Sequence, residues 1–314
     1  MTLTLNEQQA RSFLAANKIS DCEIKKVAGD ASFRSYYRIF SGEKTYILMF
    51  APPAYEDVKP FMKIDEFLVS RNFFAPKIFA ADIDSGFLLL EDLGDETYSR
   101  VLAKDPSQEM KIYQQACDVL LDLHKASIPA EVEEYNHALL FREVLLFVDW
   151  YLPLQKRFLS LEKKAQFKLS WFKIFDLLSK EKRVLVLRDF HADNLMTIPR
   201  GVGLLDFQDA VIGSNAYDLV SLLEDARRDV DEKTRQKIIE YYLDKSGCDR
   251  ENFLRDYSIL SLQRNIKILG IFSRLSVRDK KHNYLSLIPR VLDFVESRLN
   301  DEIFFEIKKL IKDE

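Results

Sequence analysis

The chain is poor in residues that interrupt or staple a fold, with nine glycines, nine prolines and three cysteines among 314 residues. So few chain breakers leave little room for disordered linkers, and no internal repeat or low-complexity segment is visible. Cys22, Cys117 and Cys248 fit no disulfide framework and lack metal-ligand spacing, which points to a reducing compartment. No apolar run approaches the ~20 residues of a membrane-spanning helix. The opening Met1-Thr-Leu-Thr-Leu-Asn-Glu-Gln has no basic segment and no long apolar run, so no export signal is expected. Positive charge is not in excess: 46 Lys and Arg against 50 Asp and Glu give a net charge of −4. That balance argues against a nucleic-acid partner. The pattern Gly-x-x-x-x-Gly-Lys-Ser/Thr is absent, which excludes a Walker-type phosphate loop. What remains is a cytoplasmic globular chain with no membrane partner, expected as a monomer. It is long enough for a large core, expected to be split between two lobes.

What the chain does have is concentrated in two short stretches. Val184-Leu-Val-Leu-Arg-Asp-Phe-His-Ala-Asp-Asn-Leu-Met196 and Val202-Gly-Leu-Leu-Asp-Phe-Gln-Asp209 each read as an apolar strand running into a polar turn. Asp189 precedes Asn194 by five residues, and Asp206 ends the next strand. A base, an amide and a metal-binding acid in that order suit kinase-type phosphoryl transfer, which needs positioning and charge neutralisation more than covalent help. In this reading Asp189 accepts the proton of the acceptor hydroxyl. Asn194 and Asp206 hold Mg2+ against the nucleotide phosphates, because magnesium prefers a few hard oxygen ligands. The blander alternative is a turn with an internal ion pair around Arg188 and Asp189.

Leu187-Arg-Asp-Phe-His-Ala-Asp-Asn194 and Leu205-Asp-Phe-Gln-Asp209 resemble the aminoglycoside-phosphotransferase branch of the kinase-like superfamily. A narrower resemblance, to the bacterial cell-wall amino-sugar kinases, rests on further motifs. These are Ala28-Gly-Asp-Ala-Ser-Phe-Arg34 with Tyr37-Arg38, Ile47-Leu-Met-Phe-Ala-Pro-Pro53, Tyr217-Asp-Leu-Val-Ser-Leu-Leu223 and Leu262-Gln-Arg-Asn-Ile-Lys-Ile-Leu-Gly-Ile-Phe272. The resemblance implies ATP as donor, Mg2+ as cofactor, and the anomeric hydroxyl of N-acetylmuramic acid or N-acetylglucosamine as acceptor, in cell-wall recycling. Aminoglycoside, choline or another small alcohol as acceptor, or an inactive nucleotide-binding protein, are the alternatives. A protein kinase is disfavoured, since no Ala-Pro-Glu and no activation segment lie between Asp206 and Tyr217.

The expected fold is α+β and protein-kinase-like, with a small antiparallel-sheet N-lobe over 1–92 and a mostly helical C-lobe over 93–314. Strands are expected over 23–27, 34–40, 44–50, 77–82 and 86–90, with helices over 6–17 and 56–70. Beyond Asp92 the periodicity is helical, with amphipathic spacing over 110–125 and long helices over 253–277 and 284–299. The junction at Glu91 and Leu93 is the candidate hinge, whose backbone would meet adenine; a simple strand-end turn reads equally well. Asp30, Ala31 and Ser32 are candidates for a phosphate-covering loop, although a lone glycine in a hairpin turn is weak support. Met49 stands where protein kinases carry a phosphate-pairing lysine. Arg34 and Arg38, an even number of residues apart and so on one strand face, are the substitute cations, with Glu66 a possible partner.

On the acceptor side, His191 is a candidate sugar contact or loop-ordering group, with a buried, backbone-satisfied histidine as the alternative. A helix over 142–151 offers Glu143, Asp149 and Trp150 to sugar hydroxyls and faces. Arg264, Lys267, Arg274 and Arg278 fall within roughly 80° on a helical wheel, and Ile259, Leu262, Ile266 and Leu269 occupy a different face that suits core packing. That basic stripe is either a solvated face or a cation source for a lactyl carboxylate, with Arg264 the foremost candidate. Glu131, Glu133 and Glu134 form an acidic cluster that would suit a cationic acceptor, although a surface loop between helices explains it equally well. Asp218 is expected to brace the catalytic loop by hydrogen bonding.

Overall fold

The computed structural model describes residues 5–29, 33–180 and 183–312. In chain order the elements begin with α1 (Glu7–Ala16), β1 (Glu23–Gly29), β2 (Ser35–Ser41), β3 (Lys44–Phe50), α2 (Lys59–Ser70), β4 (Ile78–Asp82), β5 (Phe87–Glu91) and α3 (Tyr98–Lys104). They continue with α4 (Glu109–Leu123), α5 (His137–Leu146), a π turn (Phe147–Tyr151), α6 (Leu152–Leu154), α7 (Leu161–Phe175), β6 (Arg183–Val186), β7 (Leu195–Ile198), β8 (Gly201–Leu204) and β9 (Val211–Ser214). The chain closes with α8 (Tyr217–Leu223), α9 (Glu232–Ser246), α10 (Arg250–Val277), α11 (Ile288–Arg298) and α12 (Phe305–Lys312). This is the expected α+β pattern, with an antiparallel sheet first and helices after it.

Two compact units result, one formed by 1–101 with 193–209 and the other by 102–192 with 210–314. The expected boundary was a single cut after Asp92. The segment 193–209 belongs with the first unit because backbone bonding ties it there: Leu204 N–H donates to Phe74 O at 2.8 Å and Thr197 N–H to Glu96 O at 2.8 Å.

The first unit carries the antiparallel sheet β1-β2-β3-β5-β4. Strand alternation divides its faces. Ile39, Leu48, Phe87 and Leu89 point to one side and form a core with Ala10, Phe13 and Leu14 of α1. Their neighbours in sequence Arg38, Ile47 and Leu90 point to the other side and line a cavity. Helix α2 starts at Lys59 rather than at 56, with a proline in its first turn, where a missing N–H costs nothing.

In the second unit α10 runs for 28 residues and is buried along most of its length, including the expected core positions Ile259, Leu262, Ile266 and Leu269. It packs against α5, the π turn, α8 and α11. The helix expected over 142–151 begins earlier, at His137, where Asn136 caps it by accepting from Leu139 N–H at 2.9 Å. It continues through the π turn rather than as regular α-helix. Strands β6 and β9 pair antiparallel, and the loop carrying Arg188, Asp189 and His191 follows the end of β6.

Candidate active site

The first unit contains a cavity of about 480 Å3, within the range of small-molecule sites. Its apolar lining includes Ile47, Phe61, Leu90 and Met196, and its polar lining includes Arg38, Glu91, Asp193, Asn194 and Asp206, with Leu93 also on the wall. Four elements converge here because the hairpin β7–β8 brings Asn194 and Asp206 beneath the sheet face that carries Ile47 and Leu90. Leu205 N–H donates to Asn194 O at 3.0 Å, which ties the two hairpin ends together. Asp206 has φ +58°, a left-handed conformation uncommon outside glycine. It is held there by Phe207, fully buried and stacked on Phe61 of α2 at 4.9 Å between ring centroids.

The two arginines have different surroundings. Arg38 lies 2.7 Å from Asp92 and 2.9 Å from Asp95, and donates to Gly94 O at 3.1 Å. Its charge is already matched, so it clamps the stretch after β5. Arg34 precedes β2 and lies 3.7 Å from Glu56 and 3.9 Å from Asp206. These are looser pairs, beside a residue expected to face phosphate. Glu56 thus takes the place foreseen for Glu66, which is exposed on the outer side of α2. Met49 is fully buried, as an uncharged side chain should be. At Glu91, the N–H donates to Lys77 O at 2.8 Å and the carboxylate pairs with Arg200 at 2.8 Å. The amide of Glu91 is therefore engaged within the sheet. Asp30, Ala31 and Ser32 lie outside the described residues.

The second unit holds the loop that follows β6. Asp218 accepts from Leu187 N–H at 2.7 Å and Arg188 N–H at 2.8 Å, the bracing role expected from the sequence. Burial pushes its carboxyl up to about 7, against the pull of those two amides. Arg188 is held at φ +69°, a conformation costing about 1–3 kcal/mol that its surroundings must repay. Its guanidinium pairs with Glu143 and lies over the Tyr135 ring at 5.6 Å. Burial opposes the charge of Asp189, but Lys267, His191, Arg264 and Arg188 outweigh it and hold the carboxyl below its ordinary value.

His191 is buried, with Nε2 at 3.5 Å from Arg227 Nη1. Burial lowers its pKa, with Arg227 and Arg264 acting in the same direction, so the ring is neutral near pH 7. The other acceptor-side residues separate. Glu143 is a buried counter-ion: Lys267 lies at 2.9 Å, Gln263 Nε2 donates to it at 3.0 Å, and Arg188 and Tyr135 complete its shell. Asp149 is exposed on the π turn and Trp150 is half-buried.

The basic stripe is not one face. Arg264 and Lys267 are buried, whereas Arg278 is exposed and paired with its neighbour Asp279 at 2.7 Å. Arg264 Nη2 donates to Ser221 Oγ at 2.8 Å, while its buried Nη1 has no hydrogen-bond partner among the described residues. Of the acidic cluster, Glu134 is taken up by Arg183.

Sequence reading did not single out Asp225, which is 1% exposed. Its Oδ1 accepts from Arg227 N–H at 2.8 Å, and it faces His191 electrostatically. Its Oδ2 has no hydrogen-bond partner among the described residues. Nor did sequence reading pair Lys267 with Glu143. No local signal could have done so, because the two lie on helices far apart in the chain.

The phosphotransferase enzyme family (APH) matches residues 23–255. A Pseudomonas aeruginosa protein named N-acetylmuramate/N-acetylglucosamine kinase is 35% identical over 291 residues, covering 89% of this chain and 85% of that protein. A Caulobacter vibrioides protein of the same name is 33% identical, covering 98% of this chain and 96% of the relative. Among solved structures, the ADP-bound aminoglycoside phosphotransferase APH(2'')-Ib has a TM-score of 0.64 at 14% identity, covering 94% of this chain and 99% of that one. Choline kinase LicA from Streptococcus pneumoniae also has a TM-score of 0.64, at 13% identity, covering 93% of this chain and 99% of that one. These two show a shared fold. With residues 23–255 matched, and with relatives at 35% and 33% identity spanning most of both chains, this chain belongs to the phosphotransferase enzyme family.

Proposed function

We propose that the chain is a cytoplasmic, ATP-dependent kinase that phosphorylates the anomeric hydroxyl of N-acetylmuramic acid and N-acetylglucosamine in cell-wall recycling. The observation that carries this reading is the 35% identity, along 89% of the chain, to a protein named for both sugars. Asp189 is assigned the role of base, and Asn194 and Asp206 the role of ion holders, the three parts such a reaction needs. In this reading the cavity beneath β3 and β5 takes the nucleotide, with the base between Ile47, Leu90 and Met196 and its edge toward Glu91 and Leu93.

Magnesium suits the donor set. Asn194 and Asp206 offer hard oxygens on one cavity wall. Among the described residues no group of three or more His, Cys, Asp and Glu is placed to hold a metal. That fits an ion bound by two protein ligands and the nucleotide phosphates. When bound, the ion neutralises charge on the phosphates being parted. Arg34, beside Asp206, adds a cation where Met49 supplies none. Asp189 accepts the proton of the anomeric hydroxyl as that oxygen bonds to the γ-phosphorus and ADP leaves. Its depressed pKa keeps it ready as the base at neutral pH. His191 and Asp225 are assigned to sugar hydroxyls, and Arg264 Nη1 to the lactyl carboxylate of N-acetylmuramic acid. Asp149, exposed, is assigned only an outer contact.

The test is ATP turnover with magnesium on N-acetylmuramic acid, N-acetylglucosamine, glucose, choline and kanamycin. Both N-acetyl sugars should be phosphorylated to acid-labile products, and Arg264→Ala should raise KM for the first more than for the second. Turnover on kanamycin or choline alone would sink the sugar assignment.

A further inference from the structure

Behind the catalytic loop lies a buried ionic cluster to which catalysis by Asp189 assigns no part. Glu143 Oε1 receives Lys267 Nζ at 2.9 Å together with the Arg188 guanidinium. Its Oε2 accepts from Tyr135 and, at 3.0 Å, from Gln263 Nε2. Tyr217 closes the cluster, with its hydroxyl 3.2 Å from that of Tyr135 and 3.4 Å from Lys267 Nζ. Glu143 and Lys267 are 6% and 8% exposed, so water does little to screen them. A lone buried carboxylate would favour its neutral form, yet the carboxyl of Glu143 is held down at about 2 because two cations and two donors more than offset its burial. The cluster holds two positive charges against one negative charge. It therefore presents a net positive charge toward the adjoining residue, Asp189.

We infer that Lys267, fixed by Glu143, is a positioning residue for phosphoryl transfer: the pair anchors Arg188, and with it the loop, and sets a surplus positive charge behind Asp189. This rests on the reading of Asp189 as the base. The shape of the loop supports it, since Arg188 keeps its left-handed backbone while its side chain is turned inward onto Glu143. In kinases that are switched, a loop arginine of this kind waits for an added phosphate. Here the counter-charge is built into α5, and the loop needs no modification to hold its shape. The groups facing Asp189 are Lys267 and Arg264 from α10, His191 and Arg188 from its own loop, and Asp218 from α8. Asp218 acts against its charge, as burial does.

The experiment is the pH profile of kcat for wild type, Lys267→Met, Lys267→Arg, Glu143→Gln and Asp189→Asn, with KM for sugar and ATP at each pH. In the wild type the acid limb should lie below the ordinary carboxylate range. Lys267→Met should raise it by about 1–3 pH units, the effect of one close opposite charge, with KM for ATP within about twofold of wild type. Lys267→Arg keeps the charge and should leave the limb near the wild-type value. Glu143→Gln should also raise the limb, because an unpaired buried lysine gives up its proton. Adding Lys267→Met to Glu143→Gln should then produce no further shift.

A lower kcat with an unmoved limb in Lys267→Met would overturn the inference, and so would a rise in sugar KM alone. If Lys267→Met does not fold, the limb of Glu143→Gln decides in the same way. Near-normal turnover in Asp189→Asn would instead remove the base reading and the inference together. An inactive Asp189→Asn with an unmoved limb in Lys267→Met removes the inference alone.

Discussion

Asp189 and Asp65 are the same residue type under opposite fields. Cations from α10 and from its own loop surround Asp189 and favour its charge. Asp65, on α2, is 4% exposed, and its Oδ1 has no hydrogen-bond partner among the described residues. Burial first, then Glu66 and Glu91, push its carboxyl up to about 7. A raised carboxyl binds a proton in the native state that the unfolded chain has already lost. Its contribution therefore favours folding at low pH and fades as pH rises from about 4 to about 7. Asp65→Asn, which cannot ionise, should stabilise the protein by about 1–3 kcal/mol at pH 8. The gain should shrink toward pH 5, as thermal melts at the two pH values would show. An equal or absent gain at both would mean that Asp65 is not carrying an unpaired charge.

Helix α10 shows how an element can depend on one missing atom. A Cβ added at Gly270 would sit 2.3 Å from the carbonyl carbon of Leu146 and 2.5 Å from its oxygen. The glycine lets α10 approach the backbone of α5 where the π turn begins, one turn beyond Glu143. Ala is the better helix former by about 1 kcal/mol, so an exposed site would gain from Gly270→Ala. Here the contact is with backbone, which cannot rotate away, and overpacking costs about 1–3 kcal/mol or more. We expect a net loss of stability in denaturant titration. A variant as stable as wild type would show that the two helices can separate without cost. The loop after β6 depends on its neighbours in a similar way, through the two amides that Asp218 accepts.

For the molecule as a whole, the cavity proposed for the nucleotide lies within the first unit, formed by residues from both of its chain segments. A ligand that binds only the folded chain stabilises it by mass action, by about 2.7 kcal/mol at a hundredfold excess over Kd. ATP with magnesium should therefore raise Tm by several degrees. EDTA should remove most of that gain, because two protein oxygens bind the phosphates poorly without the ion between them. An ATP-induced rise unaffected by EDTA would argue against Asn194 and Asp206 as ion holders. With a net charge of −4, local cations such as Arg34, proposed to face the phosphates, should matter more than any global attraction.

The antiparallel sheet, the helical remainder, the expected core face of α10 and the order Asp189, Asn194, Asp206 were all legible in the chain. Each depends on neighbours in sequence: strand alternation, helical period, and loop residues placed at the ends of short apolar strands. The sequence alone also made Asp218 a brace and Met49 an uncharged substitute for lysine. Pairing across distance was not legible. Arg34 and Arg38 read alike, until the segment after β5 brought Asp92 and Asp95 to one and left the other beside Asp206. Glu143 read as a sugar contact and Lys267 as part of a basic stripe, because helical period places side chains on a face without saying what the face meets. Only the packing of α5 against α10 made them partners, since the cost of burying either charge alone is repaid by the other.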